Sequence, residues 1–458
     1  MSSPTDFLSR EQCLALYHRL DALAPGGRNF TNITSAASNT VEWARSRMRT
    51  ASRERRNDLS VTRFAAGGYG SGSTTRLDDD GLRELLHDIA VQAALVLQST
   101  DVLEWYPWSR PNQPILQPTL WSDATYAYDA AASARVAQET ILPAATAGLL
   151  SAGSLQMRAS GTAYLDQWLA RYYPQTEVEY SVTVRDVRGT ASGWAGVNHF
   201  ALDRIDPAAL AARALEKCRR SANPVAIEPG RYTALLESQA MADLLWPLMV
   251  GRPGLGRAAA EDGSGPFAGP RGHSKIGERV LDRRLSLSSD PMDPDGPFIP
   301  FDASGTPYRA VTWIDRGILR ELAYDEMYAR GALRREQALP NPGSYRLAPA
   351  PEVAPASVDD MIANTRRGIL VTRFHDVMPV DTDSYLSRGY TRDGLWLIEQ
   401  GKITKSLKNM SIMESPLFIL NNVEAVGAPQ RVFQRGYSCL APAVLVRDFN
   451  FVALADAV

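Results

Sequence analysis

An α+β fold is what the chain predicts, from a change of texture near its middle. Up to about residue 224, helix-period and strand-period segments alternate. Beyond residue 225, short strand-like runs dominate. The segment Ser221-Ala222-Asn223-Pro224 separates an N-terminal α/β-type region (1–224) from a β-rich C-terminal domain (225–458).

Taken in order, residues 8–23 read as a helix, with Leu14, Leu16, Tyr17, Leu20 and Leu23 spaced three to four apart. Residues 41–56 carry Arg45, Arg47, Arg49, Arg53, Arg55 and Arg56. Glu42, Glu54 and Asp58 partly neutralise them, so the run reads as a solvated strand or helix edge rather than an anion site. Leu59–Phe64 is a short strand candidate. Gly67, Gly68, Gly70 and Gly72 follow, and Leu77–Leu97 is a helix opened by Asp78, Asp79 and Asp80. Its stripe is Leu82, Leu85, Leu86, Ile89, Ala93 and Val96, and His87 falls off it. The glycine spacing fits neither a dinucleotide fingerprint nor a P-loop, so turn flexibility is the simpler reason for it.

Residues 101–125, rich in Trp and Pro, read as an extended surface connection, and 128–149 as a helix ended or kinked near Pro143. Val178, Tyr180, Val182 and Val184 alternate with polar residues, the clearest strand of the chain. Asp206-Pro207 then opens a helix to Arg220. Strand, glycine-bearing segment (Gly189, Gly193, Gly196) and helix thus echo residues 59–97. In the second half, strands are expected at Arg231–Leu236, Ala310–Ile314, Gly368–Phe374, Leu395–Ile398, Ala443–Val446 and Phe449–Leu454. The Gly/Pro-rich stretches 251–274 and 286–300 read as exposed loops.

The bulk properties narrow the function. Hydrophobic residues make up 45% and charged residues 22% of 458, with a net charge of −2. That is an ordinary globular composition, without the basic footprint of a nucleic-acid binder. Cys13, Cys218 and Cys439 lie far apart, which fits a reducing compartment rather than a disulfide framework. Residues 1–20 lack a signal-peptide pattern, and no run is apolar enough to span a bilayer. A cytoplasmic protein with neither membrane nor nucleic-acid partner is the expectation.

Few residues suggest chemistry. Asp290, Asp293 and Asp295-Gly296 fail the spacing of a calcium loop. His375 and Asp376, adjacent on a strand, should point to opposite faces and make poor partners for a Cys439 nucleophile. The strand 368–376 (Gly368, Val371, Arg373, His375) is a candidate wall for a peptide groove, where an extended substrate pairs with its backbone.

A set of segments in the second half resembles a known family. They are Ser274–Val280, Pro300–Pro307, Ile314–Leu319, Arg367–Phe374, Gly394–Ile403 and Leu420–Gly427. In order and spacing over 225–458 they are similar to the TldD/PmbA (TldE) family of peptidase-complex proteins. The first half fits more loosely, at 59–97 and 176–220. The resemblance implies an α+β fold of that type. TldD-type members hold zinc with His-Glu-x-x-x-His and a C-terminal Cys, whereas TldE/PmbA-type members lack the histidines. The two types form a heterodimer that degrades unfolded peptides or trims modified peptide precursors.

By that resemblance the motif positions, counted from Arg231-Tyr232-Thr233, run from Trp246 and Pro247 to Gly251, and no His occurs between His199 and His273. Two imidazoles one turn apart and a water-activating carboxylate are therefore missing. Cys439, at the family's C-terminal Cys position, becomes a remnant or a buried small residue. The expectation is a non-catalytic TldE/PmbA-like subunit that binds no cofactor itself. Its partner would be a zinc-bearing TldD-type chain, or a second copy of itself, and residues 101–125 would contribute to the interface. Two other readings stay open: a stand-alone peptide-binding scaffold, and a stand-alone peptidase with an unrecognised site.

Overall fold

The computed structural model of the chain describes residues 6–65, 68–95, 113–270 and 272–455. Residues 101–112 of the Trp/Pro-rich stretch lie outside them. Residues 28–199 build one six-stranded sheet from β1 (Arg28–Ala44), β2 (Arg47–Ala65), β3 (Gly68–Thr74), β4 (Leu150–Leu165), β5 (Ala170–Arg185) and β6 (Ser192–His199). The spatial order is β3-β2-β1-β4-β5-β6. Every neighbouring pair is antiparallel. The α+β class holds, and hairpins rather than parallel crossovers build its first half.

That order is symmetric about the β1–β4 pairing. Helix α1 (Arg10–Leu23), β1, β2, β3 and helix α2 (Asp79–Leu95) form one unit. Helix α3 (Ala130–Thr146), β4, β5, β6 and helix α4 (Pro207–Arg220) form another with the same succession. Local signals set the helix starts. Ser9 and Gln12 make a reciprocal capping box for α1. Asp129 caps α3, and Asp206 caps α4 with Pro207 in its first turn. The helices cover one sheet face. Leu16, Leu20, Leu82 and Ile89 pack on Ile33, Leu59 and Val61, while Ala137, Ala144, Ala214 and Cys218 pack on Val41, Trp43, Tyr180 and Val182.

The echoed glycines now have a packing role. β3 and β6 are the two sheet edges, and each lies directly under a helix. A Cβ on Gly70 would come within 2.3 Å of the Ile89 carbonyl oxygen, and one on Gly193 within 2.2 Å of the Ala214 carbonyl oxygen. Only glycine lets strand and helix backbones approach so closely.

The second half contains two sheets. Its strands are β7 (Gly230–Leu236), β8 (Leu285–Ser289), β9 (Val311–Asp315), β10 (Ile318–Leu319), β11 (Tyr345–Pro349), β12 (Arg367–Asp381), β13 (Leu386–Glu399), β14 (Lys402–Ser406), β15 (Met410–Glu414), β16 (Val423–Val426), β17 (Gln430–Arg431), β18 (Cys439–Ala441) and β19 (Val444–Leu454). One sheet runs β10-β9-β8-β11-β18-β17. In the other, β12, β7, β19, β15 and β13 follow one another and β12 also pairs with β13, so five strands close into a ring. Helix α5 (Ser238–Val250) follows β7. Its Met241, Leu244, Leu245 and Leu248 share one core with β7, β12 and β13 of the ring and with Leu287 and Trp313 of the other sheet.

The stretches expected as exposed loops are partly folded inward. Phe267 is 1% exposed and Leu285–Ser289 is a strand, because the core between the sheets recruits their apolar residues. Asp293 and Asp295 are held by the guanidinium of Arg346 at 2.6 and 2.8 Å, which accounts for the acidic loop without a cation.

Candidate functional site

The positions the resemblance assigns to the motif lie at the end of helix α5 and on its cap Gly251, and their surroundings are full. Trp246 packs edge-on against Tyr437, with ring centroids 4.6 Å apart. Pro247 sits inside the helix, and its carbonyl oxygen accepts the Gly251 N–H at 2.8 Å and the Tyr385 hydroxyl at 3.1 Å. A Cβ on Gly251 would lie 2.3 Å from that oxygen and 2.6 Å from the Tyr385 hydroxyl. An imidazole therefore has no room at Gly251. The Met249 carbonyl oxygen accepts from the Asn341 side chain at 2.5 Å.

Cys439 lies on β18 with no exposure. Its Sγ sits 3.8 Å from the Gly343 carbonyl oxygen, and burial pushes the thiol up to about 12. Without a metal, such a buried, protonated thiol packs as a small apolar group. Tyr345, wholly buried nearby, is likewise pushed well above its ordinary range. Among the described residues no three His, Cys, Asp or Glu side chains converge in a metal-ligating group. The donor set around Trp246, Pro247, Gly251 and Cys439 does not fit zinc.

The groove residues fare unevenly. Gly368 and Val371 are paired on both edges, with Thr233 and Leu236 of β7 and with Ile398 and Leu395 of β13. An extended substrate has no free backbone to pair with there, so that part of the expected groove is corrected. Past the end of β7, Arg373 stacks over Trp194 at 4.3 Å and lies 3.5 Å from Asp393. His375 lies further out on the hairpin, in partial contact with solvent.

The expectation that His375 and Asp376 diverge is also corrected. A bulge follows His375, Asp376 takes a left-handed φ of 51°, and the two side chains meet at 3.4 Å. Arg392, Arg373 and Asp393 are the other charged groups acting on His375, whereas Gly343, Tyr345 and Arg431 surround Cys439. The two sets share no residue, and no triad forms with Cys439.

Pattern reading missed Asp243. It lies on the half-buried face of α5 shared with Gln239 and Trp246, accepting from the Phe374 N–H at 2.9 Å and the Gln239 side chain at 2.8 Å. Burial raises its carboxyl to about 6. A carboxylate amid Met241, Leu244 and Leu245 was the available signal, since buried carboxylates require partners. Lys217 and Glu237 were missed too. They join α4 to the start of α5 at 2.7 Å, largely out of solvent.

Residues 229–453 match the model of the PmbA/TldA metallopeptidase C-terminal domain. The chain belongs to the TldD/PmbA family. Among curated protein sequences none matches it. Solved structures match it over nearly its full length and show the family's fold. A candidate modulator of DNA gyrase from Bacteroides thetaiotaomicron is 17% identical with a TM-score of 0.81, covering 97% of this chain and 100% of that one. A second candidate gyrase modulator, from Thermotoga maritima, is 16% identical with a TM-score of 0.79, covering 96% and 100%. TldE from Thermococcus kodakarensis is 15% identical with a TM-score of 0.78, covering 96% and 99%. No helix among the described residues is long and apolar enough to cross a membrane.

Proposed function

We propose that this chain is a non-catalytic, TldE/PmbA-like subunit of a TldD/TldE-type metallopeptidase complex, acting in the cytoplasm on unfolded peptides or modified peptide precursors. The observation that carries the reading is the filled motif on α5. Trp246 packs on Tyr437, Pro247 has no acid–base group, and Gly251 has no space for a side chain. Peptide hydrolysis by zinc needs a metal with an open coordination position and a base beside it. Neither can be built from these residues, so zinc and the water-activating group would come from a TldD-type partner. This chain would hold the partner and complete the enclosure of the peptide.

The test is reconstitution. Purified alone without a His tag, the chain is expected to carry no zinc and to leave unfolded casein intact. Co-expressed with a His-Glu-x-x-x-His-bearing TldD-type chain, it is expected to co-purify in a complex whose casein cleavage is lost on chelation. About one zinc per chain, or chelator-resistant cleavage by the chain alone, would overturn the reading.

A further inference from the structure

Among the described residues, one edge of the N-terminal sheet has no partner where its internal counterpart is covered. β2 pairs with β1 along its whole length, but with β3 only from Leu59 to Ala65. No other described segment pairs with the remaining edge of residues 47–58, and residues 47–56 are exposed throughout. At strand spacing this is about 40 Å of unpaired backbone, with every second residue turning its N–H and C=O outward. In the second αβββα unit, β5 likewise pairs with β6 only over its last part, from Val178 to Arg185. There, however, the chain's own extended segment 113–122 lies against the leftover stretch. The Leu120 carbonyl oxygen accepts from the Thr176 N–H at 2.9 Å, Ser122 N–H donates to the Thr176 hydroxyl at 3.0 Å, and the Gln113 carbonyl oxygen accepts from Arg171 at 3.1 Å. The fold thus shows what lies at this place in one unit, and no described segment occupies the equivalent place in the other.

Charge selects the occupant. Arg47, Arg49, Arg53, Arg55 and Arg56 stand on the open stretch against Glu54 and Asp58. Arg56 is paired with Asp58. Arg53 and Arg55 both donate to the carboxylate of Asp6, which shows how an acidic side chain sits on this strand. Arg47 and Arg49 have no acidic partner among the described residues. Cationic side chains on an edge oppose pairing with an identical edge by repulsion, which disfavours a second copy of this chain. They favour a strand of opposite sign. Acidic residues interleaved with the arginines weaken the case for a nucleic-acid backbone, which presents uninterrupted negative charge.

We propose that residues 47–58 of β2 capture an extended acidic peptide segment as an added antiparallel or parallel strand. Main-chain hydrogen bonds would supply the affinity, and Arg47 and Arg49 the preference for carboxylates. The site is separate from α5 and stands whether or not the chain pairs with a TldD-type partner.

The probe is a fluorescent peptide of alternating Glu and Val, followed by anisotropy with the full chain. Saturable binding is expected that weakens with salt and by roughly tenfold in Arg47→Glu/Arg49→Glu, with the thermal midpoint unchanged. The backbone is tested on the wild-type protein with two peptides N-methylated at alternate residues. The set facing β2 should abolish binding and the set facing away should leave it. Equal loss or no loss in both sets, unchanged binding by the double variant, or stronger binding of an oligo(dT) that displaces the peptide would each overturn the proposal.

Discussion

The N-terminal sheet and the C-terminal ring of strands handle their edges in opposite ways. In the ring, β12 is held between β7 and β13, and β13 returns to β15, so the central strands have neighbours on both sides. Their faces are buried too: Leu236, Val371 and Leu397 join one core, and Leu235, Leu370 and Trp396 another. The N-terminal sheet is open. Helices cover one face, glycines seat its edge strands under α2 and α4, and no described segment covers the far end of β2. Closure gives rigidity and leaves no template for another chain, whereas openness gives the reverse.

The sharpest way to break this contrast is to remove mass from the ring. Phe449 has no exposure and stacks on Phe374, with ring centroids 5.7 Å apart and planes within 9°. Phe449→Ala is expected to destabilise the protein by about 4 kcal/mol, from lost burial plus an uncollapsed cavity. Urea unfolding measures it, and a loss below about 1 kcal/mol would mean the ring is loosely packed. The next largest effect lies where the halves meet. Glu237 accepts from Lys217 at 2.7 Å and from the more exposed Arg213 at 2.9 Å. Glu237→Ala leaves the Lys217 ammonium buried without its partner, at a cost of about 3 kcal/mol. Lys217→Met in the same background should recover most of it, and failure to recover would show that the loss comes from somewhere other than the stranded charge.

The same contrast governs what was legible in the sequence. Val178–Val184 declared itself because its buried face is β-branched and aromatic while its other face is polar. β1 did not, since the small residues Ser35 and Ala37 take the buried positions between Ile33 and Val41 and interrupt its apolar alternation. Most of β2 was hidden for another reason. Strand alternation is a signature of one buried face, and residues 47–56 bury neither. In the second half the apolar runs fixed several strands and the family resemblance fixed the rest of the frame. Neither revealed the ring, because the β7–β12 and β7–β19 pairings join strands far apart in the chain. At the candidate site, the identities of Trp246, Pro247 and Gly251 were legible in the sequence. What fills it was not, since Tyr385, Asn341 and Tyr437 arrive from distant segments.

Acid titration separates the halves further. His199, on β6, is buried and held down at about 4 from an ordinary 6.5, first by desolvation and then by Arg431. The unfolded chain takes up that proton before the folded one does. Its contribution is therefore whole above pH 6.5 and is lost as pH falls toward 4. Asp243, on α5, is raised from 3.8 to about 6 by burial. Its contribution is whole below pH 3.8 and is lost as pH rises through 6. Each shift corresponds to roughly 3 kcal/mol, of opposite sign. Stability measured from pH 4 to 7 should gain a steeper fall with rising pH in His199→Asn than in the wild type. In Asp243→Asn it should gain a steeper rise. Variants whose slopes change in the same direction would mean that one of the two groups is solvated.

The smallest expected effect sharpens the comparison from the open side. Arg49 is exposed on the uncovered stretch of β2 and has no acidic partner among the described residues. Arg49→Ala should change stability by less than about 0.5 kcal/mol, the range for surface positions without caps, strain or buried partners. The experiment discriminates because the two regions share one chain and one denaturation curve. If Arg49→Ala instead cost as much as Phe449→Ala, residues 47–58 would have to be packed against something in the folded protein. The edge would then not be available, and capture of an acidic strand there would fail with it. A neutral result means that Arg49 contributes nothing to folding and leaves the edge available to the proposed acidic strand.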